Sequence, residues 1–138
     1  MGTMSKDQRE SFLADVHVGV IAVERPGRAP IAVPVWYDYE PGGDVIVWTG
    51  AESIKHRLIR EAGRFTITAQ DERPPYKYAS AEGDVTEIRP IERGDVLALA
   101  TRYLGEDVAP GYVDQSFSPD GVLIRMRPGR WLSTDYSA

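Results

Sequence analysis

The stretch WTGAESIKHRLIREAGR, from Trp48 to Arg64, gathers two hydroxyls, Thr49 and Ser53, and three basic side chains, Lys55, His56 and Arg57, around the start of one helix. Ser53 reads as the N-cap, Ile54, Leu58, Ile59 and Ala62 share a face, and Gly63 can close the C-terminus. The macrodipole favours acids in a first turn by about 0.3–1 kcal/mol each, so a basic first turn is locally unfavourable. An anion reverses that sign. A phosphate or carboxylate on the free N–H groups, with Thr49 and Ser53 as further donors and Lys55 as counter-charge, satisfies dipole and side chains together. A solvated basic face running through Arg57, Arg60 and Arg64 is the competing reading, and this stretch alone is equally compatible with both.

A second place where a ligand could lie is the run PIAVPVWYDY. Pro34 removes a ladder donor from an otherwise strong strand, which implies an edge, a bulge, or something other than a strand alongside. Alternation puts Ala32, Pro34, Trp36 and Asp38 on one face and Ile31, Val33, Val35, Tyr37 and Tyr39 on the other. The second face is core. The first can line a cleft, or Trp36 can serve as a surface or subunit-contact aromatic.

The elements that must hold these residues follow from pattern. A helix is expected over Gln8 to Ala14, then a hairpin of HVGVIAVER and IAVPVWYDY joined by PGRAP, then a strand VIVWT ahead of the basic helix. FTITAQ alternates as a fourth strand. YKYASAEGDVTEI is long for one strand, and Gly83 within it marks a bulge or bend. A core helix is expected over PIERGDVLALATRYLG, with Val96, Leu97, Ala100, Tyr103 and Leu104 as its stripe and Gly105 at its end. EDVAPGYVDQSFSPDG reads as a turn-rich loop, and VLIRMR, PG and RWLSTD as a closing hairpin. Mostly antiparallel strands that remove their own edges by closure give a small barrel flanked by helices.

Composition narrows the chemistry. The 138 residues suit one domain, and 42% hydrophobic with 27% charged residues is ordinary for a globular chain. With no apolar run of membrane-spanning length and no signal-peptide pattern, a cytoplasmic location and no membrane partner are expected. Cysteine is absent and the two histidines are far apart, which removes thiolate catalysis and the usual zinc and iron–sulfur sites. No metal is expected. Redox chemistry would need an organic cofactor. The net charge of −5 has the wrong sign for a nucleic-acid binder. QSFSPDG lacks the Gly-x-Ser-x-Gly pattern of a nucleophile elbow. MGTMSK reads as an expression remnant ahead of Met4, so residues 1–8 are expected to be remnant or disordered plus a helix start, and 9–138 one domain.

In order and spacing, PIAVPVWYDYE, VIVWTG, ESIKHRLIREAGRFTITAQ and YKYASAEGDVTEI resemble the pyridoxamine 5′-phosphate oxidase-like split-barrel superfamily, and most its actinobacterial flavin/deazaflavin oxidoreductase branch. The resemblance covers Phe12 to Ile88 and fits the tail RPGRWLSTDY. It implies a mainly β or α+β fold, a six- to seven-stranded antiparallel split β-barrel of FMN-binding type flanked by helices. It further implies a homodimer with cofactor sites at the subunit interface. The Ser-x-Lys element of that family holds the cofactor's phosphate, which maps onto Thr49, Ser53 and Lys55. The strand matching Pro34, Val35 and Trp36 lies beside the cofactor ring. Lys77 and Tyr78 match a cofactor-contacting Arg-Gln pair without being identical to it, and Trp131 falls in the tail hairpin.

The late Arg-x-His-Asp-Arg-like element that grips substrate in the oxidases has no counterpart between Pro110 and Ala138, which argues against vitamin B6 oxidation. The branch implies coenzyme F420, with FMN as the alternative; the glutamate tail of F420 would give Arg57, Arg60 and Arg64 a partner. The expected activity is hydride transfer from reduced F420 to an activated double bond of a small conjugated substrate, in a pocket including Trp131 and Tyr78. Non-catalytic storage of the deazaflavin is the other reading. Tyr37, Tyr76, Tyr78 and Tyr112 are the unranked tyrosines for product protonation, and no catalytic residue is named.

Overall fold

The period-two runs form six antiparallel strands in one sheet, ordered β2-β1-β4-β5-β6-β3, in a computed structural model that describes residues 1–137. They are β1 (Gly19–Arg25), β2 (Arg28–Val35), β3 (Val45–Gly50), β4 (Arg64–Asp71), β5 (Lys77–Pro90) and β6 (Gly121–Asp135), with α1 (Lys6–Ala14), α2 (Ile54–Ala62), α3 (Arg93–Leu104) and α4 (Ala109–Ser116). The two edge strands come back toward each other. Beyond β2, Asp38 exchanges both backbone hydrogen bonds with Ile46 of β3 at 2.9 Å, which closes the sheet into an incomplete barrel.

Pairing register sorts every side chain to one face. Val33, Ile21, Ile67, Ala81 and Trp131 form one inward row across five strands, and Pro34, Val20, Thr68, Ser80 and Leu132 the adjacent outward row. The interior is filled by Ile21, Val23, Phe65, Ile67, Ile124 and Met126, with Leu13 of α1 and Leu58 and Ile59 of α2 packed among them. On the outside, α3 and α4 build a second core of Ile91, Val96, Ala100, Ala109 and Val113, against which Trp36 and Trp48 pack.

The long β5 and β6 are possible because the sheet curls at Gly83. The register slips between Glu82 and Gly83, and a Cβ on Gly83 would stand 1.7 Å from the Arg127 carbonyl oxygen. β6 is therefore one bent strand, not the expected hairpin: Met126, Arg127, Pro128 and Arg130 pair with β5, and Gly129, skipped in the register, turns the Pro128–Gly129 turn signal into a bulge. α4 lies in the stretch expected to be loop, its polar, glycine- and proline-bearing sequence held by packing of Ala109 and Val113. Pro110 is tolerated because it sits in the first turn.

Three further expectations are amended. The strand through Pro34 ends at Val35, leaving Trp36 outside the ladder. In α2, His56, Leu58 and Ile59 are buried and Ile54 is exposed; in α3, Leu99 is buried while Leu97 and Leu104 are exposed. Residues 1–8 take part in the packing: Gly2 pairs with Asp135, Met4 is buried, and Ser5 and Gln8 form a capping box on α1. No helix among the described residues is long and apolar enough to cross a membrane.

Leu58 is 3% exposed and anchors α2 inside the barrel. Leu58→Ala is expected to cost about 2–5 kcal/mol, read as a lower midpoint in urea unfolding at unchanged slope.

Candidate functional site

β3 delivers the chain to α2 through a tight corner. Ala51 N–H donates to Asp120 O at 2.8 Å and Ser53 N–H to Gly50 O at 3.1 Å. Ser53 is the N-cap in extended backbone; its Oγ accepts from His56 N–H at 3.1 Å, and Gly63 closes the helix in the left-handed region at φ 72°. Thr49 Oγ1 and Ser53 Oγ lie 3.0 Å apart. They share one hydrogen bond, so one hydroxyl hydrogen of the pair remains free to donate outward.

The imidazole of His56 answers part of the question raised by the basic first turn. It is buried, with Nδ1 2.7 Å from Ala51 O, so it locks the corner and is not part of the basic surface. Nothing in the pattern of the stretch marked it, since its acceptor is a backbone carbonyl. Lys55 is different: it is half-buried, and no carboxylate lies within salt-bridge distance of it among the described residues. Burial draws its pKa below the ordinary lysine value. A desolvated ammonium beside unpaired N–H groups and a spare hydroxyl is a donor set that fits a phosphate.

The barrel's opening leads to this corner. Beyond the Asp38–Ile46 bridge no further ladder joins β2 to β3 among the described residues; continuing the register would set Trp36 against Trp48 and Pro34 against Gly50. Two unpaired strand edges therefore flank a slot that runs toward Thr49 and Ser53. Pro34 lies on an edge strand, where its missing N–H costs no ladder bond. Pro34 and Val35 border the slot by backbone. The Trp36 side chain turns outward and stacks on Tyr103 at 4.7 Å and 6°. Tyr103 in turn donates to His17 O at 2.5 Å and accepts from Tyr37 N–H at 3.0 Å.

Other expected residues separate. Trp131 lies on the inward face, edge-on to Tyr39 at 6.0 Å and beneath the Arg9 guanidinium at 5.1 Å, whereas Tyr78 belongs to the outward face and accepts from Thr134 Oγ1 at 3.2 Å. They do not line one pocket. Lys77 faces Asp135, 3.9 Å away. Arg64 is held by Glu24 at 2.6 Å, which leaves Arg57 and Arg60 as the exposed cations of α2. Among the tyrosines, Tyr37 is fully buried, donates to Leu13 O at 2.6 Å, and is pushed far above the ordinary tyrosine range by desolvation, so it is no proton donor. Tyr76 is exposed and Tyr112 packs against Trp36.

The outward face carries two broad concavities. Hollows of about 860 and 790 Å³ lie along it, the first lined by Ala22, Thr66, Glu82 and Arg130 and the second by Val20, Pro34, Thr68 and Gln70. Val18, Val20 and Leu132 are 59%, 42% and 66% exposed there.

The whole architecture recurs in solved structures. An F420 reductase superposes with a TM-score of 0.72 at 26% identity, covering 89% of this chain and 94% of that one. The conserved hypothetical protein Rv2991 of Mycobacterium tuberculosis gives 0.75 at 25% identity, over 96% and 86%. A candidate pyridoxamine 5′-phosphate oxidase of Listeria innocua gives 0.68 at 16% identity, over 93% and 96%, a likeness of fold alone. The chain has the pyridoxamine 5′-phosphate oxidase-like split-barrel fold. Its split is the slot between β2 and β3, and the corner at Thr49 to Lys55 closes one end of it. No family model and no curated protein matches the chain.

Proposed function

We propose that this split barrel is a homodimeric oxidoreductase that binds reduced coenzyme F420 and transfers a hydride to an activated double bond of a small conjugated compound. The observation that carries the reading is Lys55, half-buried and without a carboxylate partner at the N-terminus of α2. The likeness to an F420 reductase supports it. When bound, the reduced deazaflavin would supply a hydride from C5, and the double bond would gain that hydride and a proton.

The protein's own part is positioning. Lys55, the free N–H groups of α2 and the Thr49–Ser53 pair would hold the phosphate. The backbone at Pro34 and Val35 would flank the ring, and Arg57 would meet the anionic tail. Trp36 would act by fixing that backbone through its stack on Tyr103, and no catalytic residue is assigned. Lys77 and Tyr78 would contribute to the second subunit's cofactor site, as the resemblance implies, while Lys77 stands 3.9 Å from Asp135 and Trp131 faces the interior of its own barrel.

The second copy would cover the outward face, where exposed Val18, Val20 and Leu132 border the large hollows. Such a face is characteristic of subunit contacts. Leu132→Asp is expected to convert a dimer into monomers in sedimentation velocity, with native far-UV circular dichroism; monomers already in the unaltered protein would refute the assembly.

The test of function is a side-by-side fluorescence titration with F420 and FMN, followed by turnover of reduced F420 with unsaturated acceptors. Selective F420 binding with turnover is expected. Selective FMN binding would assign the flavin reading, tight F420 binding without turnover a storage protein, and binding of neither would refute the phosphate corner.

A further inference from the structure

Beside the phosphate corner lies a second, smaller cavity of about 110 Å³ between β3, β6, α3 and α4. Its lining is graded. Ile91 and Val96, 6% and 2% exposed, are the deep residues; Trp48 and Phe117 are half-buried; Ser118 and Asp120 are exposed and therefore stand at the mouth. Thr49 belongs both to this cavity and to the hydroxyl pair of the corner.

We infer that this cavity binds an uncharged six-membered aromatic or conjugated ring carrying a hydroxyl or amine donor. Its size caps the ligand: a dry cavity of about 150 Å³ accommodates benzene, so one of about 110 Å³ takes no more than one ring, with its substituent left in the mouth. The chemistry of the lining favours a ring, since Ile91 and Val96 at the deep end are apolar and Trp48 and Phe117 add aromatic surface, with the Thr49 hydroxyl as the buried polar group among them. Charge selects the substituent. Asp120 is in no salt bridge among the described residues, so its carboxylate accepts from a donor and repels an anion. The mouth thus has the opposite charge preference to the Lys55 corner.

The inference concerns a binding site that is separate from the hydride-transfer step: the cavity adjoins the phosphate corner and not Pro34 and Val35, where the cofactor ring would lie, so it rests on the reductase reading for nothing but its neighbour. The test is a ligand-observed ¹⁹F NMR titration of the purified protein with 4-fluorophenol and 4-fluorobenzoate. Saturable binding of the phenol is expected, with the benzoate at least about fivefold weaker and that gap closing in Asp120→Asn. Val96→Phe fills the deep end and Ser116→Trp covers the mouth from an exposed position; either should weaken phenol binding at least about tenfold. The mouth variant keeps the test open if the core variant fails to fold. Absence of saturable binding, or phenol binding unchanged in the folded variants, would overturn the inference. Orthophosphate titrated into the same samples separates the two sites: phenol binding without phosphate binding would leave this cavity standing and the reductase reading refuted, and the reverse result would do the opposite.

Discussion

Lys55→Ala is expected to weaken F420 binding by about 1.5–3 kcal/mol, or roughly 10- to 150-fold in Kd, while leaving thermal stability unchanged or slightly higher. The two halves of that expectation come from the same fact. Lys55 is desolvated without a carboxylate partner, so the free protein gains nothing from its charge, and burial already disfavours the ammonium. A phosphate at the corner supplies the missing charge. A purely structural lysine would give the contrary pattern, with lower stability and intact affinity. Arg57→Ala separates the cofactors: exposed Arg57 can matter only to a ligand that extends past the corner, so a loss confined to F420 would place the anionic tail on α2, and fluorescence titrations at low and moderate salt measure it. Equal affinity of Lys55→Ala and the unaltered protein for both cofactors would move the phosphate elsewhere.

Much of this site was legible from sequence because it rests on local chemistry. Ser53 as cap, Gly63 as terminator and a basic first turn are properties of one short stretch, and the structure keeps cap and terminator where the pattern puts them. Pro34 was legible for the same reason, since a missing N–H restricts a strand to an edge wherever the chain goes. What was not legible depends on contacts between distant segments. Trp131 and Tyr78 are close in the ladder but on opposite faces, and only the register of β6 on β5, continuous from Lys77–Asp135 to Glu82–Arg130, decides which face each takes. α4 was hidden because tertiary packing of Ala109 and Val113 outweighs the weak helix preference of its glycine- and proline-bearing sequence. His56 carried a misleading signal: beside Lys55 and Arg57 it reads as charge, yet its partner is the Ala51 carbonyl, three residues before the helix begins. Arg64 likewise reads as part of a basic helix face until β1 brings Glu24 against it.

Gly83→Ala is expected to be the most destabilising single substitution, at about 4 kcal/mol or more, a large share of the 5–15 kcal/mol that holds a typical domain together. The alanine methyl would sit 1.7 Å from the Arg127 carbonyl oxygen and 3.1 Å from the Gly129 nitrogen. Both are backbone atoms of β6, so no rotamer change relieves the overlap. Relief would require β6 to move away, and that would open the pairing on either side of the bulge, from Glu82–Arg130 to Val85–Met126. The damage would not stay at the corner. Trp131 lies one residue beyond that stretch in the ladder and Met126 sits in the barrel core, so the strand that turns here carries core packing on both sides of the bend. Chemical unfolding followed by far-UV circular dichroism measures the loss, and Gly129→Ala is the matched control: its added Cβ would meet only Glu82 O at 3.8 Å, an ordinary contact, so it should cost about 1 kcal/mol or less. Equal stability of the two variants would mean that the curl of β5 and β6 is not fixed at Gly83. A loss confined to Gly83→Ala would show that this close approach is what bends two long strands around the split barrel.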